Sequence, residues 1–286
     1  MLNRRCFLQS TTMGAIGTAG TFGVALTQRF AHTVSARKLT KIGVQLYTVR
    51  NEMAKDFEGT LAQVAAVGYN QVEFAGYFNR TPQQVKDALA KNKLEAPSVH
   101  VPLKDLRENL DKAVETTQAV GHKLVICPFV VPEERRKLDD YKAHAAVLNK
   151  AAAAFKKVGI EFGYHNHDFE FTPLEGKLPM DLLLAETDPK LVKLELDLYW
   201  LTKAKQDPLA FIAKHPGRSI AFHIKDMDKG KETFTEVGRG RIDFKPLLAK
   251  ANQAGAKYFF VEQDQCPGAP LDSIKVSFDY LKNLNF

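Results

Sequence analysis

Residues 160–171 read IEFGYHNHDFEF, a run that begins as a strand and ends in imidazoles and carboxylates. Aromatic residues alternate with others from Ile160 to Tyr164, the pattern of a half-buried strand. Side chains alternate between the faces of an extended strand, so Glu161, Gly163, His165 and His167 share one side, and Phe162, Tyr164 and Asn166 share the other. Two histidines therefore point the same way. At the mouth of a barrel they make a metal or proton-transfer site; facing solvent they are two surface histidines, because a His-x-His pair has no fixed meaning alone.

Outward from this run, short apolar strands alternate with helical stretches. Strands are expected at 42–47, 71–75, 96–101, 123–127, 192–199, 219–225 and 258–263, with helices at 57–67, 81–92, 105–120, 132–158, 181–186, 208–214, 244–254 and 274–281. That alternation is the pattern of a parallel sheet with crossover helices, and its length matches the about 250 residues of a single α/β domain folded as a (β/α)₈ TIM barrel. A doubly wound open sheet is the rival. It usually carries a glycine-rich first turn, whereas the first turn here is Tyr47-Thr48-Val49-Arg50, and Gly238-Arg239-Gly240 follows no strand directly.

The first 36 residues differ from the rest. A basic head with Arg4 and Arg5 precedes an uncharged, weakly apolar run to Arg29 and small residues around Ser35-Ala36, which is the layout of a secretory signal. Arg4-Arg5-Cys6-Phe7-Leu8 resembles the twin-arginine export signal. An uncleaved membrane anchor is the alternative, disfavoured by the Gly and Thr residues that interrupt the run. The expectation is a signal at 1–36, a barrel domain at 37–286, a periplasmic or otherwise exported product, and membrane contact only during export.

Removing three arginines and no acidic residue lowers the formal charge from +7 to +4. No Lys- or Arg-rich block is present, so the charge argues against a nucleic-acid partner. Cys127 and Cys266 fall near the ends of the fourth and eighth strands, across the barrel from each other, and are expected as free thiols.

Chemistry in such barrels sits at the C-terminal ends of the strands. The alternation in LELDLYW (194–200) turns Glu195, Asp197 and Tyr199 inward; AFHIKD (221–226) turns in His223 and Lys225; FFVEQD (259–264) turns in Glu262 and Asp264. Glu73 comes from the second strand, His100 from the third, and His165 and His167 from the fifth. Asp168, Glu170 and Asp264 are placed on the rim. Burying one unpaired charge is costly, so a convergent cluster of carboxylates and imidazoles must be paired, solvated or bound to a cation. Three or four N/O ligands with open positions suit one divalent ion, Mn²⁺, Zn²⁺, Co²⁺ or Mg²⁺.

The order and spacing of YHNHDFEF (164–171), LELDLYW (194–200), FHIKD (222–226), VGRGRIDF (237–244) and VEQD (261–264) resemble the sugar isomerase/epimerase superfamily of xylose isomerase-like barrels, over about residues 41–286. The resemblance implies one divalent metal held by a carboxylate from strand five, an Asp from strand six, a His from strand seven and a Glu from strand eight. The last three carry over onto Asp197, His223 and Glu262. At the fifth-strand position this chain has His165, with His167 as the other candidate and Glu161 lying deeper on the same face. That departure points away from ketose epimerases, which use a Glu pair, and toward inosose dehydratases and lyases of 3-keto sugars.

The expected activity is that of a metal-dependent isomerase, epimerase or lyase acting on a keto sugar, glycoside or cyclitol through an enediolate-type proton transfer. Glu73 or His167 is the expected proton-transfer group, and His100, Lys225 and Trp200 the expected substrate contacts. The alternatives are an exported sugar-binding barrel without chemistry and a metal-dependent endonuclease, for which four strand-end histidines are a lean supply.

Overall fold

Most of the strands are short runs with buried apolar residues at alternate positions, and helices connect successive strands of the barrel. The computed structural model describes residues 37–286, so the expected signal at 1–36 lies outside the described residues. In chain order the elements are β1 (Gly43–Gln45), α1 (Arg50–Lys55), α2 (Phe57–Val67), β2 (Gln71–Phe74), α3 (Pro82–Asn92), β3 (Glu95–His100), α4 (Leu103–Glu108), α5 (Leu110–Val120), β4 (Leu124–Cys127), α6 (Leu138–Lys157), β5 (Glu161–His165), α7 (Pro179–Glu186), β6 (Val192–Asp197), α8 (Leu198–Lys203), α9 (Pro208–Lys214), β7 (Ser219–Ile224), β8 (Asp226–Met227), β9 (Phe234–Thr235), α10 (Phe244–Ala249), α11 (Ala251–Ala254), β10 (Tyr258–Val261) and α12 (Pro270–Asn283).

Eight of these strands close a parallel barrel in the order β1-β10-β7-β6-β5-β4-β3-β2, while β8 and β9 form a separate antiparallel hairpin. The register sets polar residues side by side: Gln45 opposite Glu73, Glu73 opposite Ser98, His165 opposite Glu195, and Asp197 opposite His223. Polar side chains that alternation turns inward are thereby stacked at one end of the barrel.

Below them the barrel interior is apolar, packed by Leu124, Ile126, Ile220, Ala221 and Phe260. The Phe260 ring fills the space against β1, where a Cβ on Gly43 would lie 2.4 Å from it. The outward-facing strand residues, such as Val72, Phe74, Phe162, Leu194, Leu196 and Phe222, pack against the helices in the larger core. Local signals start and stop those helices. Thr81 and Gln84 form a capping box with Pro82 in the first turn of α3, and Gly68 and Gly121 end α2 and α5 in the left-handed conformation.

The structure adds α1, α8 and the β8–β9 hairpin to the expected elements, starts the expected helix at 132–158 at Leu138, and departs at other element ends. The expected helix at 105–120 is two helices meeting at Asn109, and the expected strand at 192–199 stops at Asp197. There the Asp197 side chain accepts the Trp200 N–H and caps α8. Tyr199 is therefore not an inward strand residue; it lies buried in a helix, its hydroxyl donating to the Glu232 carbonyl at 2.9 Å. Cys127 and Cys266 are free thiols, the second in the loop beyond β10. No helix among the described residues is long and apolar enough to cross a membrane.

Candidate metal centre

Asp197 has two tasks on two oxygens. Oδ1 accepts the Trp200 N–H at 2.8 Å, and Oδ2 faces the barrel axis, 3.2 Å from His165 Nε2 and 3.8 Å from His223 Nδ1. His165 ends β5, and its Nδ1 lies 3.2 Å from the Pro128 carbonyl. A carbonyl only accepts, so Nδ1 carries a proton, and the ring is held with Nε2 turned toward Asp197. His223 is held in the same manner from below. Its Nε2 donates to Glu73 Oε2 at 2.8 Å and approaches Glu195 Oε2 at 3.0 Å, which leaves Nδ1 facing Glu262 Oε2 at 3.0 Å.

One ligand atom from each of His165, Asp197, His223 and Glu262 lies within 4.8 Å of the other three, and all four residues are buried. Bonds of about 2.0–2.2 Å to a tetrahedral ion separate ligand atoms by about 3.3–3.6 Å, close to the spacings of 3.0, 3.2 and 3.8 Å between neighbours here. The N₂O₂ set therefore fits a divalent cation. Lys225 shares the oxygens: its ammonium is 3.1 Å from Asp197 Oδ2, 2.6 Å from Glu262 Oε2 and 2.7 Å from Asp264 Oδ2, with no exposed side-chain surface.

A second layer lies beneath. Glu73 Oε1 accepts from Ser98 Oγ at 2.5 Å and Oε2 from Gln45 Nε2 at 2.8 Å, and His100 Nε2 sits 3.1 Å from Glu73 Oε2 and 2.9 Å from Glu195 Oε2. Burial alone would lower the His100 pKa, but the carboxylates of Glu73 and Glu195 outweigh it and hold the imidazolium up to about 10. Burial would raise Glu73, but His100 and His223 keep its carboxyl well below the usual range. This layer balances two carboxylates against two imidazoles and orients His223.

Above the cluster opens a cavity of 770 Å³ walled by His100, Asp105, Phe129, Arg135, His165, His167, Phe169, Trp200, Glu262 and Asp264, among others. That is the size of a small-molecule site. His167 stands between aromatic rings, centroid distances being 5.1 Å to Phe129, 5.3 Å to Phe169 and 5.1 Å to Trp200. Burial, then the charges of His165 and Lys225, hold its pKa well below the usual histidine value.

Of the residues expected from the sequence, His100, His165, His167, Trp200 and Glu262 line the cavity. Glu73, Asp197, His223 and Lys225 are fully buried and stand outside its lining. Sequence reading overlooked Glu195 as the deep partner of two histidines, Arg135 as a cavity wall, and the contact of Asp264 with Lys225. Glu195 and Asp264 share the parity of Asp197 and Glu262, a usable signal; Arg135 fell within the expected helix at 132–158, but α6 starts only at Leu138 and leaves it in a loop.

The xylose isomerase-like TIM barrel family matches residues 61–284, and the chain belongs to it. An inosose dehydratase of Lactiplantibacillus plantarum is 25% identical over 293 residues, an alignment that covers 86% of this chain and 97% of that protein. A solved sugar phosphate isomerase/epimerase from Parabacteroides distasonis superposes with a TM-score of 0.75 at 26% identity, covering 87% of this chain and 95% of the other. The IolI protein, solved with a bound zinc atom, shares the fold with a TM-score of 0.67 at 14% identity, over 84% of this chain and 95% of the other.

Proposed function

We propose that the chain is a divalent-metal-dependent lyase or isomerase that takes a proton from the carbon beside the carbonyl of a keto sugar, glycoside or cyclitol. One observation carries the reading: Pro128 anchors His165 and Glu73 anchors His223 by the far ring nitrogen, so that the near nitrogen of each meets Asp197 and Glu262. Imidazoles anchored in this way are typical of cation ligands. Relatives named as inosose dehydratase and sugar phosphate isomerase/epimerase support a carbohydrate substrate, and the zinc of the IolI protein is in keeping with a divalent ion.

His165, Asp197, His223 and Glu262 would hold the ion, which when bound supplies Lewis acidity that polarises a substrate carbonyl and acidifies the neighbouring C–H. His167 takes that proton in this reading. Its ring faces the cavity, and its buried Nδ1 has no partner among the described residues. Glu73, the other candidate base, has both oxygens committed behind the lining, so we assign it to orienting His223. His100 has Nε2 committed to Glu73 and Glu195, and its cationic ring serves as a donor to a substrate oxygen from the cavity wall. Trp200 offers a ring for stacking.

The test is metal analysis of the purified protein beside turnover of 3-keto sugars and inososes. Asp197→Ala should lose both the bound ion and turnover, and activity retained in a metal-free variant would overturn the mechanism. One observation favours a metal-free sugar-binding barrel instead: the Lys225 ammonium already pairs with Asp197, Glu262 and Asp264. Stoichiometric divalent metal in the native protein decides against that alternative.

The proposal includes export, resting on Arg4-Arg5-Cys6-Phe7-Leu8 and the run that follows it. Fractionation of cells making the wild type and Arg4→Lys/Arg5→Lys tests it, with loss of the exported pool expected in the variant.

A further inference from the structure

We infer that the reaction cavity continues into a second subsite that takes a further hydroxylated ring, so that the substrate is a sugar joined to another sugar rather than a free monosaccharide. This rests on the carbohydrate reading above. A groove of 340 Å³ runs from the end of β3 along α5, and it shares Gly76, His100, Pro102 and Asp105 with the 770 Å³ cavity. The shared walls set the two spaces side by side, meeting at His100.

Gly76 lines both spaces. It sits at φ +111°, a conformation that favours glycine, and a Cβ placed there would meet nothing within 4 Å. His100, which is tied to Glu73 and Glu195, lines both spaces, so a two-ring ligand that occupied both would lie against it.

The groove walls suit a sugar. Asp105, Asn109, Lys112 and Thr116 supply donors and acceptors, while Val99, Val101 and Ala113 supply an apolar surface. Asp105 takes one side-chain hydrogen bond among the described residues, from Asn109 at 3.3 Å, which leaves carboxylate lone pairs for a ligand. Hydroxyl edges and C–H faces are what a pyranose presents, and a pocket with few placed polar groups on an apolar wall selects for that combination.

The experiment compares binding of glucose with that of maltose and cellobiose to the metal-loaded full-length protein by ligand-observed NMR titration. At least one disaccharide should bind about tenfold or more tightly than glucose. Thr116→Phe, which fills the groove without touching the reaction cavity, should erase that advantage and leave glucose binding unchanged. Asn109→Ala/Lys112→Ala, on exposed positions, gives a second variant with the same expected loss should Thr116→Phe not fold. Equal binding of glucose and both disaccharides overturns the subsite alone. Absence of binding by all three sugars overturns the carbohydrate reading and the subsite together.

Discussion

Lys225 shares with the candidate metal the very oxygens that would bind it. Its ammonium lies within 3.1 Å of Asp197 Oδ2 and 2.6 Å of Glu262 Oε2, both in the four-ligand set. A positive charge that close to a divalent ion repels it, and burial limits screening. Lys225→Met is expected to tighten divalent-ion binding by about tenfold or more, read by competition with a chromophoric chelator; weaker binding would mean that the ammonium instead holds the carboxylates in place. Glu73 and His167 separate in the same assay. Glu73→Gln, which disturbs the residue orienting His223, should weaken metal affinity by roughly 10–100-fold. His167→Ala should keep the metal and lose about 10²–10⁴ in turnover. Strand alternation made the inward direction of Asp197, His223 and Glu262 legible from sequence. It could not reveal that Lys225 bridges them or that Glu73 is committed beneath His223, because distances across a barrel depend on register and shear.

At the scale of elements, the Gly238-Arg239-Gly240 run is a carboxylate cradle. Asp226 Oδ1 accepts the N–H groups of Met227 at 2.8 Å and Ile242 at 3.1 Å, while Oδ2 accepts those of Gly238 and Gly240, each at 3.0 Å. Gly240 is required by this approach, since a Cβ there would fall 2.1 Å from Asp226 Oδ1. Backbone amides that resemble an anion-binding loop in sequence are thus used by the chain's own carboxylate. Asp226→Ala should cost roughly 1–3 kcal/mol of stability by removing the shared acceptor of four backbone amides, with faster hydrogen exchange at Gly238, Gly240 and Ile242. Unchanged exchange at those amides would show that other contacts hold the loop. The strand–helix alternation, the start of α3 and the ends of α2 and α5 were legible because Thr81, Pro82, Gly68 and Gly121 act locally. The end of β6 was not: LELDLYW alternates as a strand should, and the capping role of Asp197 is visible only once α8 turns away.

For the whole molecule, the stability of the barrel is tied to pH through a carboxyl that alternation cannot expose. Glu170 was expected on the rim, but the 3₁₀ turn Phe169–Phe171 folds it inward, fully buried. Its Oε1 accepts from the Tyr164 hydroxyl at 2.5 Å and its Oε2 from the His167 N–H at 2.8 Å, so it braces the segment between the fifth strand and the cavity. Burial is the largest influence and raises its pKa to about 7, against the opposing pull of those hydrogen bonds and of Arg135. Below about pH 4.5 the carboxyl is protonated in both the folded and the unfolded chain. Between there and pH 7 the unfolded chain releases the proton first, so rising pH favours unfolding, and above pH 7 the effect levels off. The stability lost across that window is at most about 3 kcal/mol. Glu170→Gln keeps the shape and cannot ionise. Thermal melts at pH 5 and pH 8 should therefore differ less in this variant than in the wild type, by several degrees. A variant with the wild-type difference would place the pH dependence elsewhere and leave Glu170 as a brace that stays ionised.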